Sequence, residues 1–317
     1  MMPSSKSKTK HKRSVSPSLN VQFDFEAIGT IWAITLTPTV DDRRIGQLLN
    51  VIRQRIEEFD HNYSRFRADS LITKMAQQPG TYHLPDDAEP LFELYEELYE
   101  LSEGRMTPLI GQTLVDAGYD ANYSLKTGTL QPTPAWPTVL DYNFPNLRIK
   151  QPALLDLGAA GKGYLVDIVA QLISDAGITD FCVNAGGDML ERQTGGEPMQ
   201  VGLEHPDHSD EAIGVVSLQN QSLCGSAGNR RVWGEFHHII DPLTQTSPTQ
   251  LKAVWVVAET TLLADALATA LFFVEPSKLH EAYTFEYTMI HKNYSLERSL
   301  NFPAEFFTTN EQTKSNL

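Results

Sequence analysis

The chain has 317 residues and a formal net charge of −15, and five Lys/Arg without any acid in its first 20 residues leave the remainder at −20. So acidic a body excludes a broad nucleic-acid surface, which needs clustered cations, and two cysteines exclude a disulfide framework. No apolar run reaches the ~18 residues of a membrane span, and a phosphate ligand would have to be met by backbone donors or a bound metal such as Mg²⁺.

Residues 1–19 are basic and Ser-rich with no apolar stretch behind them. They read as a disordered tail and not a secretory signal, with a cytoplasmic protein as the expectation. Residues 309–317 are polar and read as a frayed tail. Between them, 20–308 is expected to fold.

Val21–Thr37 is rich in β-branched and aromatic residues around Gly29 and predicts one long strand or two short ones. Asp41 opens a helix whose apolar positions Ile45, Leu48, Leu49, Ile52, Ile56 and Phe59 fall three and four apart. A loop through Arg65 and Phe66 leads to a second short helix. Asp86 or Asp87 is expected to cap the next helix, with Leu91, Leu94, Tyr95 and Leu98 inward and Glu93, Glu96, Glu97 and Glu100 on a solvated face. Residues 104–151 are proline-rich with little periodicity, and predict a loop-rich insertion or the join between two lobes.

The densest signals lie in 156–188. A short strand, Ala153–Leu155, is expected to run into Asp156 and a glycine turn through Gly158, Gly161 and Gly163. An amphipathic helix follows, stopped by Gly177, and then a strand at Asp180–Asn184. Such a turn brings backbone close to a phosphate, or simply allows elements to pack closely. It matches neither the P-loop nor the dinucleotide fingerprint. Strands are predicted at Met199–Leu203, Ile213–Leu218 and Ala253–Ala258, a polar turn at Cys224–Arg231, and a helix from Thr260 to about Val274.

Two spacings carry chemistry. Asp265 and Thr269 stand four apart in an otherwise apolar helix, so a carboxylate and a hydroxyl share one face. A hard divalent ion takes such oxygen ligands; the competing reading has both groups satisfied by backbone. His238, before Ile240-Asp241-Pro242, either faces a ligand as acid/base or phosphate donor, or completes a turn. The absence of regular βαβ alternation predicts α+β with mostly antiparallel sheets flanked by helices.

The order of these motifs resembles the ApbE family of FAD:protein FMN transferases: DLGAAGKGYLVD (156–167), VNAGGD (183–188), a Ser/Gly/Asn turn, HIIDPLT (238–244) and ADALATAL (264–271). Upstream, IGTIW (28–32) and SRFRADSLI (64–72) resemble its opening strand and its flavin-contacting loop. The resemblance spans about Ile28 to Val274. It implies a T-fold-like core and Mg²⁺-dependent transfer of the FMN moiety of FAD to a Thr or Ser hydroxyl of a partner flavoprotein, with AMP released.

By position, the resemblance implies that Asp265 and Thr269 are the side-chain ligands of Mg²⁺ and that the Ala159 backbone oxygen completes the shell. His238 and Asp241 would stand beside the reacting phosphate, His238 assisting the incoming hydroxyl. Phe66 would lie on the isoalloxazine ring, unless it is an ordinary core residue. Ile28, Met106, Thr107, Asp156, Lys162, Asn229 and Ile240 occupy its flavin-nucleotide contact positions, Lys162 as a partner for phosphate. The family's Phe-Asp pair is replaced by Met106-Thr107 in the segment that holds the AMP half of FAD, its Met by Ile28, and the Gly after its DPxT by Gln245. An FAD pyrophosphatase and a non-catalytic flavin-binding protein are the alternatives.

Overall fold

The computed structural model describes residues 20–307, so the two expected tails lie outside the described residues. An eight-stranded sheet forms the frame: β1 (Val21–Ala27), β2 (Thr30–Leu36), β3 (Phe181–Ala185), β4 (Asp188–Arg192), β5 (Ser222–Ala227), β6 (Leu251–Ala258), β7 (Glu286–His291) and β8 (Leu296–Arg298). Its spatial order is its chain order, and every neighbouring pair is antiparallel. The sheet is thus a meander into which everything else is inserted, the α+β arrangement expected. The Val21–Thr37 run divides into β1 and β2, with Ala27 opposite Thr30 across a two-residue turn.

Four principal helices are α1 (Asp42–Tyr63), α2 (Glu89–Leu101), α3 (Gly161–Asp175) and α4 (Thr261–Ala270). The Asp41 carboxylate accepts from the Arg44 N–H, the N-cap its sequence implied. Gly177, at φ +83°, ends α3 as expected. Trp32, Ile34 and Leu36 of β2 join the apolar faces of α1, α2 and α3 in one continuous core. A three-stranded sheet (Met199–His205, His208–Leu218, Ala304–Phe306) builds a second core with Met189, Leu223 and Val257 of the main sheet.

Four local expectations fail. Residues 153–155 form no strand; extended chain there is tied by the Asp156 N–H to the Pro108 carbonyl at 2.7 Å. The start of the Cys224–Arg231 stretch is strand, because Cys224 pairs with Val256 inside the sheet. The N-cap of α2 is Ala88 and not Asp86 or Asp87, and Asp87 instead pairs with Arg55 and accepts from the Tyr63 hydroxyl. The 104–151 stretch carries more order than its prolines suggested: a short helix at Gly111–Ala117, and a hairpin, Leu140–Asn143 with Asn146–Ile149, that pairs with Gly80–His83. Leu140, Leu147 and Ile149 enter the main core.

Candidate active site

Close approach of two helices creates the centre of the site. A Cβ on Gly163, in the first turn of α3, would lie 2.2 Å from the Thr261 carbonyl oxygen and 2.6 Å from Cβ of Asp265. Glycine therefore lets α3 rest on α4, and its N–H donates to Asp265 Oδ2 at 2.8 Å. Asp167, one turn along α3, accepts from the Thr261 and Leu262 N–H groups at 2.9 and 2.7 Å and so caps α4. The GKGYLVD run is thus accounted for in part by helix–helix packing, which also fixes where Asp265 points.

Above this junction lies a cleft of ≈ 600 Å³. Twelve of the thirteen anticipated site residues line it, although they come from positions 28 to 269. The tips of two adjacent hairpins form one rim: Ile28-Gly29 between β1 and β2, and Gly186-Gly187 between β3 and β4. A Cβ on Gly186 would meet Thr30 Oγ1 at 2.0 Å, so the two tips can lie together only with glycine there.

The cation ligands anticipated from sequence meet on one wall. Asp265 is buried, and burial raises its pKa against the lowering by Lys162 and the Gly163 N–H. Thr269 does not bond back to its own helix; its hydroxyl is 3.2 Å from that of Ser226 on β5. Ala159 stands in the glycine turn facing the same space. The Tyr95 hydroxyl, on α2, is buried on this wall, and its proton has no acceptor among the described residues. Burial, then the charges of Asp156 and Asp265, hold that phenol protonated, against the Ala159 and Ala160 N–H groups, which face its oxygen as donors. A buried carboxylate with one N–H donor beside a hydroxyl whose proton has no acceptor is costly unless a polar ligand completes it. Among the described residues no group of three or more His, Cys, Asp or Glu could hold a metal. The donors here, a carboxylate, a hydroxyl and backbone carbonyl oxygen, fit a hard ion such as Mg²⁺ that keeps several waters.

His238 faces the cleft from the opposite segment. Its Nδ1 lies 3.0 Å from the Arg230 carbonyl. A carbonyl only accepts, so Nδ1 carries the proton and Nε2 keeps a free lone pair. Burial lowers its pKa from 6.5 to about 4, so the ring is neutral at physiological pH. The preceding His237 is structural: Nε2 is bonded to the Pro248 carbonyl at 3.0 Å, and Nδ1 accepts from the Ile239 N–H.

Several anticipated residues are held differently from expectation. Lys162 lines the cleft, but its ammonium pairs with the buried carboxylate of Asp188, which limits its use as a phosphate partner. Asp241 does not line the cleft; Oδ1 accepts from the Leu243 N–H at 2.8 Å, and Oδ2 from Arg105 Nε at 3.3 Å. It thereby shapes its turn and holds Arg105, which does line the cleft. Asp156 gives Oδ1 to the Gly158 N–H at 2.8 Å and Oδ2 to Arg65. Phe66 is flanked by the parallel ring of Tyr123 at 5.5 Å and the Arg65 guanidinium at 4.2 Å, forming an aromatic wall with Tyr119. Ile240 packs in the cluster of Leu114, Tyr119 and Trp233 under that wall. Asn229 donates to the Pro206 carbonyl. Met106 is buried, and Thr107 caps the turn at Pro108–Ile110 by accepting from the Leu109 N–H.

The sequence reading missed Arg65, Tyr95, Arg105 and Arg231. The low count of cations implied a site poor in arginine, yet Arg105, Arg230 and Arg231 all line the cleft. Arg231 donates to the Tyr119 hydroxyl at 2.6 Å and, among the described residues, has no carboxylate partner. Arg65 lay in the SRFRADSLI motif and could have been suspected from it. Tyr95 matched the apolar stripe of α2, and helical periodicity carries no sign of where its hydroxyl ends.

The model of the ApbE family matches residues 28–289. The chain is 24% identical over 283 residues to an FAD:protein FMN transferase of Escherichia coli K12, covering 81% of this chain and 79% of that protein. It is 30% identical over 242 residues to one of Klebsiella pneumoniae, covering 73% and 72%. Among solved structures it resembles the ApbE protein of Thermotoga maritima (TM-score 0.79, 22% identity, 90% of this chain and 100% of that one). It also resembles the flavin transferase ApbE of Vibrio cholerae (TM-score 0.76, 21% identity, 89% and 97%).

Proposed function

Because the chain belongs to the ApbE family, we propose that it transfers the FMN moiety of FAD to a target protein, with Mg²⁺ bound at Asp265, Thr269 and the Ala159 carbonyl, and a Thr or Ser hydroxyl as acceptor. The observation that carries this reading is the convergence of the Asp265–Thr269 pair and the free Nε2 of His238 on one cleft. Its volume, ≈ 600 Å³, is that of a site for one sizeable small molecule.

The bond formed joins the acceptor oxygen to the phosphorus of the FMN half; the bond broken joins that phosphorus to the bridging oxygen, which leaves with AMP. Such transfers depend on positioning and charge neutralisation more than on covalent chemistry. A divalent ion at this site would supply neutralisation of the pyrophosphate charge. His238 takes the acceptor's proton at Nε2, while the Arg230 carbonyl holds the ring in the tautomer that leaves this nitrogen open. Arg105 and Arg231 offer guanidinium donors to the phosphates. Phe66 and Tyr119 give the flavin an apolar wall.

No described helix is long and apolar enough to cross a membrane. The cytoplasm is the compartment proposed, in keeping with two free cysteines, Cys182 and Cys224.

The test is incubation with FAD, Mg²⁺ and a peptide bearing a Thr or Ser, followed by mass spectrometry. A peptide mass gain equal to FMN, with stoichiometric AMP, is the expected result. Free FMN and AMP with unmodified peptide would replace transfer by FAD hydrolysis. Bound, unchanged FAD would make the protein a flavin binder.

A further inference from the structure

Among the described residues, Tyr95 carries the one buried side-chain polar atom that both stands on the cleft wall and has no acceptor for its proton. A buried hydroxyl whose proton lacks an acceptor calls for an explanation in a native fold, and a ligand or ion present in the working protein is one. The residue sits on α2, whose inward positions Leu91, Leu94 and Leu98 are buried in the main core, so the ring cannot swing out to water without emptying that core. The Ala159 and Ala160 N–H groups face the phenol oxygen as donors, but its neighbours on the wall offer no acceptor for the hydroxyl's own proton. Both oxygens of Asp156 are already occupied, by the Gly158 N–H and by Arg65. The Thr269 hydroxyl is paired with Ser226. For core packing alone, phenylalanine would fill the same space without the polar atom.

We propose that the Tyr95 hydroxyl donates a hydrogen bond to a ligand oxygen held at the cation site formed by Asp265, Thr269 and Ala159. That oxygen belongs either to a phosphate of FAD or to a water on Mg²⁺. The proposal rests on the flavin-transfer reading of the same cleft. Tyr95 is then a binding residue supplied by the insertion between β2 and β3, and it ties α2 to the ligand. The hydroxyl's proton is left without an acceptor in the free protein and is satisfied in the loaded one. It therefore favours the loaded state by more than an ordinary hydrogen bond does, because binding also removes a standing penalty.

The experiment compares wild-type protein with Tyr95→Phe by thermal unfolding in four arms: no ligand, Mg²⁺ alone, FAD alone, and both. Ligand-free Tyr95→Phe is expected to stay close to wild type in Tm, since the hydroxyl's proton has no acceptor in the free protein. Its affinity in the FAD plus Mg²⁺ arm, from the ligand dependence of Tm, is expected to fall about tenfold or more, the weight of one hydrogen bond to a charged group. A deficit already present with Mg²⁺ alone assigns the oxygen to a metal-bound water. A deficit that requires FAD assigns it to a phosphate. A markedly lower Tm in the ligand-free variant means that the hydroxyl's proton is satisfied within the chain and overturns the proposal, as does unchanged affinity in every arm. Wild-type protein that binds neither FAD nor Mg²⁺ would overturn the flavin-transfer reading and this proposal together, a result distinct from an unaffected Tyr95→Phe variant.

Discussion

At His238 a backbone carbonyl and burial act in the same direction: the Arg230 carbonyl fixes the proton on Nδ1, and desolvation keeps Nε2 bare. Replacing His238 by Gln is expected to lower kcat by roughly 10²- to 10⁴-fold, the usual weight of a positioned general base, with smaller change in FAD affinity; steady-state kinetics with a peptide acceptor check this. The same pKa has a consequence for stability. The folded value, about 4, lies below the ordinary 6.5, so as pH falls the unfolded chain takes up the proton first. The contribution of this group is therefore complete above pH 6.5 and is lost progressively between 6.5 and 4. Thermal unfolding of His238→Gln should show a shallower fall of Tm across that window than wild type; parallel curves would contradict the depressed pKa. Asp265 poses the opposite case, a buried carboxylate that lacks enough donors in the free protein. Asp265→Ala is expected to abolish turnover and any Mg²⁺-induced rise in Tm. Undiminished turnover would remove the metal assignment.

At the scale of the elements, two tight contacts hold the site together. Ile28, a β-branched residue, sits at φ +44° in the β1–β2 turn, followed by Gly29 at +74°. A two-residue hairpin turn with both φ positive favours Asn-Gly, and a bulky residue there costs about 1–2 kcal/mol. Ile28→Asn should accordingly raise stability by about 1 kcal/mol while weakening FAD binding, since Ile28 lines the cleft; thermal unfolding and FAD titration report the two effects. Strain kept at a cleft rim is the pattern of a residue retained for contact and not for the fold. Gly163→Ala tests the other contact. Its Cβ would strike the Thr261 carbonyl and Asp265 Cβ, so α3 and α4 must separate, at a cost of roughly 1–3 kcal/mol. A correspondingly lower Tm and loss of Mg²⁺-induced stabilisation are expected. These elements also show what the sequence could disclose. The apolar period of α1, the Asp41 cap and the Gly177 stop were legible because each is a local signal. The Lys162–Asp188 pair, the Arg65–Asp156 pair and the Tyr95 hydroxyl were not, because each depends on which distant element arrives opposite. Asp87 looked like a cap by position alone, yet it was drawn to Arg55 on α1 instead.

At the scale of the molecule, the cleft draws on the main sheet from its first hairpin to β6. Its walls run from Ile28 on the first hairpin to Phe273 beyond α4, with Trp255 of β6 between them. A ligand there contacts chain that no single insertion supplies, so its binding free energy should stabilise the fold as one unit. At a hundredfold excess over Kd this amounts to about 2.7 kcal/mol, and for a domain of this size to a Tm rise of roughly 5 °C. A scan in which two transitions separate, and only one moves with ligand, would contradict that coupling. The charges make the two ligands interdependent. The body of the chain is strongly acidic, and the buried Asp265 would repel a pyrophosphate brought to the same wall. A divalent cation held at Asp265 would turn that repulsion into attraction, so FAD should tighten Mg²⁺ and Mg²⁺ should tighten FAD by the same factor. The Tm rise with both ligands is therefore expected to exceed the sum of the separate rises in wild type. In Asp265→Ala the repelling carboxylate and the cation's anchor are both gone, so the rises should become additive, with FAD alone binding no worse than before. If the excess survives in Asp265→Ala, the link between the two ligands runs through some other group, and Asp265 is not where they meet.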